Sequence, residues 1–324
     1  MADQILTADI GGTNARFGLA ERQKNGRWEI AHFAKFRGDD FKTFTDVLDA
    51  YLEPFGGSRP RRAIFSVAGP VENGKVTLTN RSWSLDSTDL KKRFGLTKVY
   101  IVNDFAAMTR SIPELTDEDL IEIKPGRADK SAPILVAGPG TGFGVGYLIP
   151  VTGGYHVLTT EGGHQAYSPQ TDRELELLKI LRSSFGFISV ERVSSGSGMV
   201  DVHKAVSQRQ GKSYHPESPA IIREKARQGD PVALEVCEIR AAATMGAMGD
   251  LALSGGARGG VVLAGGVSER MIEFFKSEDA MSRFLKRGKR SDYMADIPIY
   301  LLSNARAALY GAAALFEDLE TRAS

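Results

Sequence analysis

The 324-residue sequence predicts an α/β protein, with sheets of mixed direction covered by helices. Three observations predict it. Short apolar runs alternate with amphipathic stretches through the first hundred residues. A strand, a glycine turn and a returning strand occur twice, once near residue 10 and once near residue 140. At roughly 150 residues per domain, the length is that of two domains.

Each element has a local reason. Residues 4–10 form an apolar run ending in Asp9-Ile10-Gly11-Gly12-Thr13-Asn14, and 15–20 and 28–36 read as further strands of a meander. Phe41, Phe44, Val47, Leu48, Tyr51, Leu52 and Phe55 recur at helical spacing after Asp39 and Asp40, and Gly56-Gly57 closes that helix. Residues 63–67 and 98–102 read as buried strands, the second ending at Asn103-Asp104. In the second part, 134–137 runs into Gly138-Pro139-Gly140-Thr141-Gly142-Phe143-Gly144, with 145–149 and 155–159 as returning strands. The chain then turns mainly helical, over 172–185, 198–210, 219–228 and 230–253. Asp230 is the expected N-cap of the last, with Pro231 in its first turn. Residues 261–264 make a core strand before Gly265-Gly266, and Ser268 is expected to cap a helix there. A strand at 299–302 leads into an Ala-rich helix over 304–320, with Leu309, Ala313 and Phe316 on one stripe.

Composition excludes several classes. Lys and Arg number 41 against 40 Asp and Glu, a formal charge of +1. That balance carries no footprint for a nucleic-acid backbone or an acidic membrane, and neither partner is expected. Polar or charged residues interrupt every long apolar run, and no basic-then-apolar leader opens the sequence. Cys237 is the only cysteine, which excludes an intramolecular disulfide and a cysteine-based zinc cluster. A buried helix cysteine in a reducing, cytoplasmic setting is the expectation. Glycine is in excess: 35 of 324 residues, where ~7% is ordinary.

The glycines do not match the common fingerprints. From every start in 138–146 the last position of G-x-G-x-x-G falls on Phe143, Val145, Tyr147 or Ile149. Gly211-Lys212-Ser213 has Val206 where a P-loop needs glycine, and it follows a helix. Neither G-x-S-x-G nor H-E-x-x-H occurs. Lys286-Arg287-Gly288-Lys289-Arg290 reads as a solvated loop.

Three glycine turns and a few polar positions remain. Over Ala8, Asp9, Ile10, Gly11, Gly12 and Thr13, paired glycines let backbone N–H groups approach phosphate oxygens, and Thr13 adds a hydroxyl. Asp9, at the strand tip, suits a hydrated Mg²⁺ beside the phosphates. A plain hairpin turn is the alternative for this stretch alone. Gly140, Thr141 and Gly142 offer a matching cradle, and Gly265-Gly266 suits a flat adenine or an α-phosphate. Asp104 follows a strand and is either a rigidly aimed proton acceptor or simply the cap of a helix starting at Phe105. Asn103 beside it can donate and accept. Glu161 and His164 lie three apart around Gly162-Gly163, where a turn would bring both to one face.

The ordered stretches 8–16, 80–83, 101–105, 138–145, 161–164, 191–198, 263–266 and 304–311 resemble the bacterial ATP-dependent glucokinases of the actin-like sugar-kinase superfamily. The sequence is similar to the zinc-free group, because it has no cysteine-rich motif beyond Glu161-Gly162-Gly163-His164. The resemblance implies a two-lobed, ribonuclease H-like fold with a cleft, its small lobe from 1–108 and 304–324 and its large lobe from 109–303. It implies ATP with Mg²⁺ and no zinc, glucose as acceptor, and a homodimer. Asp104 would then take the proton of the glucose 6-hydroxyl, with Asn103, Asp104, Glu161, His164 and Glu191 on the sugar. Asn80 and residues near Trp83 would close over it. A kinase of another hexose, such as fructose or mannose, and a non-catalytic sugar-sensing regulator are the alternatives at this point, since epimers differ by one hydroxyl.

Overall fold

The computed structural model describes residues 4–78 and 81–323. They divide into two compact units, one running to Asp119 and resuming at Asn304, the other spanning Leu120–Ser303.

In the first unit, β1 (Ile5–Ile10), β2 (Asn14–Arg22) and β3 (Trp28–Arg37) form an antiparallel meander. Helix α1 (Phe44–Leu52) opens on a capping box between Thr43 and Asp46, and β4 (Arg62–Val67) then pairs parallel to β1. A short hairpin, β5 (Lys75–Thr77) and β6 (Ser84–Asp86), leads into α2 (Ser87–Phe94), whose N-cap is Asp86. Strand β7 (Lys98–Asn103) adds parallel to β4 and turns into α3 (Asp104–Arg110). The sheet order is β3-β2-β1-β4-β7. The two-residue period of a strand divides β1 between two cores. Leu6, Ala8 and Ile10 meet Phe44, Val47 and Leu48 on one side. Ile5 meets Leu309, Ala313 and Phe316 of the C-terminal helix on the other. That helix covers Ala307–Ala323, three residues later than expected at its start.

Residues 109–119, expected in the second part, pack with the first. Arg110 Nε donates to Asp318 Oδ2 at 2.7 Å, and Asn304 Nδ2 donates to Asp119 Oδ1 at 2.8 Å, which ties this stretch to the C-terminal segment.

The second unit repeats the pattern. Strand β8 (Leu120–Lys124) precedes the meander β9 (Ile134–Pro139), β10 (Phe143–Val151) and β11 (Gly154–Thr160). The helices follow as α4 (Asp172–Phe185), α5 (Val190–Ser194), α6 (Gly198–Arg209), α7 (Pro219–Arg227) and α8 (Pro231–Gly255). Strand β12 (Gly260–Leu263) lies parallel to β9, and β13 (Ile299–Leu302) lies parallel to β12 after α9 (Ile272–Phe275), α10 (Glu278–Leu285) and α11 (Ser291–Asp296). The order β11-β10-β9-β12-β13 reproduces the first sheet strand for strand, with β8 added antiparallel at the edge.

Helix α8 is the centre of this unit. Asp230 Oδ1 accepts from Ala233 N at 2.8 Å, the expected cap. Cys237 is fully buried, and burial pushes its thiol up to about 11, so it is an inert core side chain. Two expectations fail nearby. Ser268 caps no helix: its Oγ turns back to donate to Ala264 O at 2.7 Å, and a single short turn over 269–271 precedes α9. The basic stretch 286–290 is not wholly solvated either. Arg287 folds inward, donating to Gly246 O at 2.7 Å, because Gly246 and Gly249 leave a side-chain-less patch on α8.

Candidate active site

In the first unit the parallel strands end level with one another. Ile10 is in register with Val67, and Val67 with Asn103, so the turn after β1 and the start of α3 share one edge of the sheet. Ligands of open α/β sheets bind at such carboxyl ends.

The β1–β2 turn is held from outside. Gly11 N donates to Asn14 O at 3.0 Å, Gly38 N donates to Thr13 O at 2.9 Å, and Arg81 Nη2 donates to Gly12 O at 2.9 Å. Arg81 lies over the Trp83 ring, 4.6 Å from its centre, which fixes the guanidinium. Neither Gly11 nor Gly12 has a positive φ. A Cβ on Gly11 would meet nothing closer than 3.6 Å. The fold itself does not demand glycine at 11, and the space beside its Cα is open, while its N–H is held by Asn14 O. Ala8 and Ile10 are buried in β1 and place the turn, while Thr13 is exposed on it. Asp9, between them, pairs with Arg16 across the hairpin, Nη1 to Oδ2 at 2.7 Å. Burial pushes the Asp9 carboxyl up, and Arg16 opposes that shift.

At the end of β7 the two candidates divide their tasks. Asn103 is the cap of α3: its Oδ1 accepts from Phe105 N at 2.9 Å, and its Nδ2 donates to Gly69 O at 3.3 Å. Asp104 is the first helical residue, half-buried, with Oδ1 also accepting from Phe105 N at 2.9 Å. The helix N-terminus attracts its negative charge. Asn80 lies outside the described residues, and nearby Trp83 is a fully buried core ring.

In the second unit the remaining positions gather around the β9–β10 turn. Gly140 N donates to Gly142 O at 2.8 Å. The turns at Gly138 and Gly265 interlock: φ is +156° and +94°, and a Cβ on either would strike the other strand's backbone. By contrast, a Cβ on Gly140 or Gly266 would meet no protein atom within 4 Å, so the space beside both is open. Segment 191–198 is stitched to the turn. Phe143 N donates to Glu191 Oε2 at 2.8 Å, Gly196 N to Gly140 O at 2.9 Å, and Ser197 Oγ to Thr141 O at 3.0 Å. Gly163 packs on the Phe143 carbonyl, and the short turn over 162–164 brings His164 Nε2 within 3.9 Å of Glu161 Oε2, both side chains mostly exposed.

The structure therefore assembles Asp9–Thr13 with Asn103 and Asp104 in one unit, and 140–142, 161–164, 191 and 265–266 in the other. Sequence reading missed Arg81, Ser195, Ser197 and Arg240. Arg240 is fully buried and donates to Ser194 O and Ser195 O at 2.8 Å each, holding the carbonyl end of α5. Its one signal in the sequence is that it is the single basic residue of α8, directly before the Ala- and Met-rich run. Among the described residues, no three His, Cys, Asp or Glu side chains are grouped to hold a metal, and no helix is long and apolar enough to cross a membrane.

A family model described as Glucokinase matches residues 6–319. The glucokinase of a Caulobacter species is 37% identical over 308 residues, covering 95% of this chain and 93% of that one. The glucokinase of Nitrobacter hamburgensis is 38% identical over 312 residues, 96% of each chain. A solved glucokinase from an Antarctic psychrotroph is 34% identical with a TM-score of 0.87, covering 98% of this chain and 100% of that one.

Proposed function

The chain belongs to the glucokinase family, and from that premise we propose which residues do the chemistry. The activity is phosphoryl transfer from ATP to glucose, on the actin-like sugar-kinase fold. Such transfer asks the protein for positioning and charge neutralisation more than for covalent chemistry.

Asp104 is the base for the glucose 6-hydroxyl. The observation that carries this is the division at the end of β7. Asn103 caps α3, so Asp104 is not needed as the cap and sits beside the β1–β2 turn's sheet edge. Proton transfer is late in a loose transition state, so an ordinary carboxylate suffices. In the first unit Gly11, Gly12 and Thr13 receive phosphate oxygens; in the second, Gly140, Thr141 and Gly142 form a phosphate cradle of their own, and Gly265 and Gly266 take adenine or the α-phosphate. Asp9 suits Mg²⁺: no hydrogen bond reaches its Oδ1 among the described residues, and a single carboxylate is what a mostly hydrated Mg²⁺ on phosphates needs. Bound there, the ion neutralises charge on the phosphates. Glu161, His164 and Glu191 take sugar hydroxyls, with Asn103 contributing its second amide hydrogen. The cytoplasm and a homodimer complete the proposal, supported by the family resemblance.

The test is an ADP-release assay with Mg-ATP across glucose, mannose and fructose, run with Asp104→Asn. We expect glucose-dependent turnover, with the variant's kcat down roughly a hundredfold or more. Its glucose Kd by calorimetry should stay within about threefold, since Asn conserves the shape and the bond to Phe105 N. Near-normal turnover in the variant would remove Asp104 from the role. Turnover with another hexose alone would overturn the acceptor.

A further inference from the structure

We propose that Glu191 couples the sugar to the phosphate loop, one carboxylate serving both. The inference rests on the sugar role given to Glu191 above and concerns what its other oxygen does. Oε2 accepts from Phe143 N at 2.8 Å, directly after Gly142. A Cβ on Gly142 would lie 2.5 Å from that same oxygen, so the missing side chain is what admits the carboxylate. No hydrogen bond reaches Oε1 among the described residues, which leaves it to accept from a sugar hydroxyl.

The rest of the segment makes the link stiff. Gly196 N and Ser197 Oγ bond the carbonyls of Gly140 and Thr141. Ser195 Oγ accepts from Gly198 N and meets Ser197 Oγ, each at 3.0 Å. A hydroxyl held on Oε1 fixes the carboxylate plane, and with it the Phe143 amide and the loop that precedes it. Bound sugar therefore orders the nucleotide cradle, and by linkage bound nucleotide tightens the sugar by the same factor.

Calorimetry of glucose binding, with and without Mg-AMPPNP, tests this in the wild type, Gly142→Ala and Ser197→Ala. The wild type should bind glucose more tightly with the nucleotide present. Gly142→Ala displaces only the end of a flexible side chain, so its melting temperature should stay near the wild type's. It should weaken glucose binding without nucleotide by roughly tenfold or more, the worth of a charge-assisted bond, and lose the nucleotide enhancement. Ser197→Ala should keep the nucleotide-free glucose affinity and lose part of the enhancement. Wild-type glucose affinity in Gly142→Ala, an intact enhancement in both variants, or no enhancement in the wild type overturns the coupling. Glu191→Gln separates the two readings: unchanged glucose affinity there removes Glu191 from the sugar and takes the coupling with it.

Discussion

Single side chains hold this protein's polar interior together, and two of them make sharp predictions. Glu174 is 1% exposed, yet it accepts from Tyr167 Oη at 2.8 Å, Gln170 N at 2.9 Å and Thr171 N at 3.1 Å, and pairs with Arg283 at 2.6 Å. Burial alone would raise its carboxyl, but these donors outweigh burial and hold it below the ordinary value of 4.5. A carboxyl depressed on folding stabilises the fold fully above its unfolded value and loses that contribution as pH falls through the folded one. Glu174→Gln should therefore lower Tm near neutrality, and the gap to the wild type should shrink below pH 4.5 in a thermal-melt series. A constant gap across that range would contradict the assignment. Arg240→Met should destabilise by ~2 kcal/mol, because two buried helix-end carbonyls lose their donors while a buried charge is removed. Thermal unfolding measures it, and a raised glucose KM should accompany it, since Ser194 and Ser195 adjoin the segment carrying Glu191. Asp230 as a cap and Cys237 as core were legible, because each depends on neighbours within a helical turn. The partner of Glu191 was not, since Phe143 lies 48 residues away.

Among the elements, the contact between α3 and the C-terminal helix bears most on the proposed base, Asp104. Gly311 lies against the carbonyl of Ala107, and a Cβ there would overlap it. Gly311→Ala should cost roughly 1–3 kcal/mol. It should also lower kcat, because α3 begins with Asp104. A variant with unchanged melting temperature and kcat would show that α3 yields without consequence. Long periodic elements were read well: α4 begins and ends where its pattern does. The β5–β6 hairpin, with three residues to a strand, and the edge strand β8, with Glu122 and Ile121 exposed, carry too little periodicity to read. Ser268 misled because serine before a helix favours a cap, yet here the nearby Ala264 carbonyl took the hydroxyl.

For the whole molecule, the consequential feature is that the chain leaves the first unit at Asp119 and returns at Asn304. The returning helix buries Leu309, Ala312, Ala313 and Phe316 against Ile5, Ile30 and Ile64. At ~1.5–3 kcal/mol for each large side chain, removing it costs an amount comparable to the ~5–15 kcal/mol that holds a domain together. A chain ending at Ser303 should lose the near-ultraviolet circular dichroism of Trp28 and Trp83, both buried in the first unit. Retention of that signal would show that the sheet stands uncovered.

The glycine turns, Asp104 after its strand, the repeated strand-turn-strand and the family itself were determined by the sequence alone. Those features depend on local chemistry and on order along the chain, which a sequence displays directly. Tertiary structure decided that Asn103 takes the cap beside Asp104, that Arg81 braces the β1–β2 turn and Arg240 the end of α5, and that Glu191 reaches the Phe143 amide. Each of these depends on which distant backbone group comes within hydrogen-bonding distance, and only the packed sheets and helices fix that.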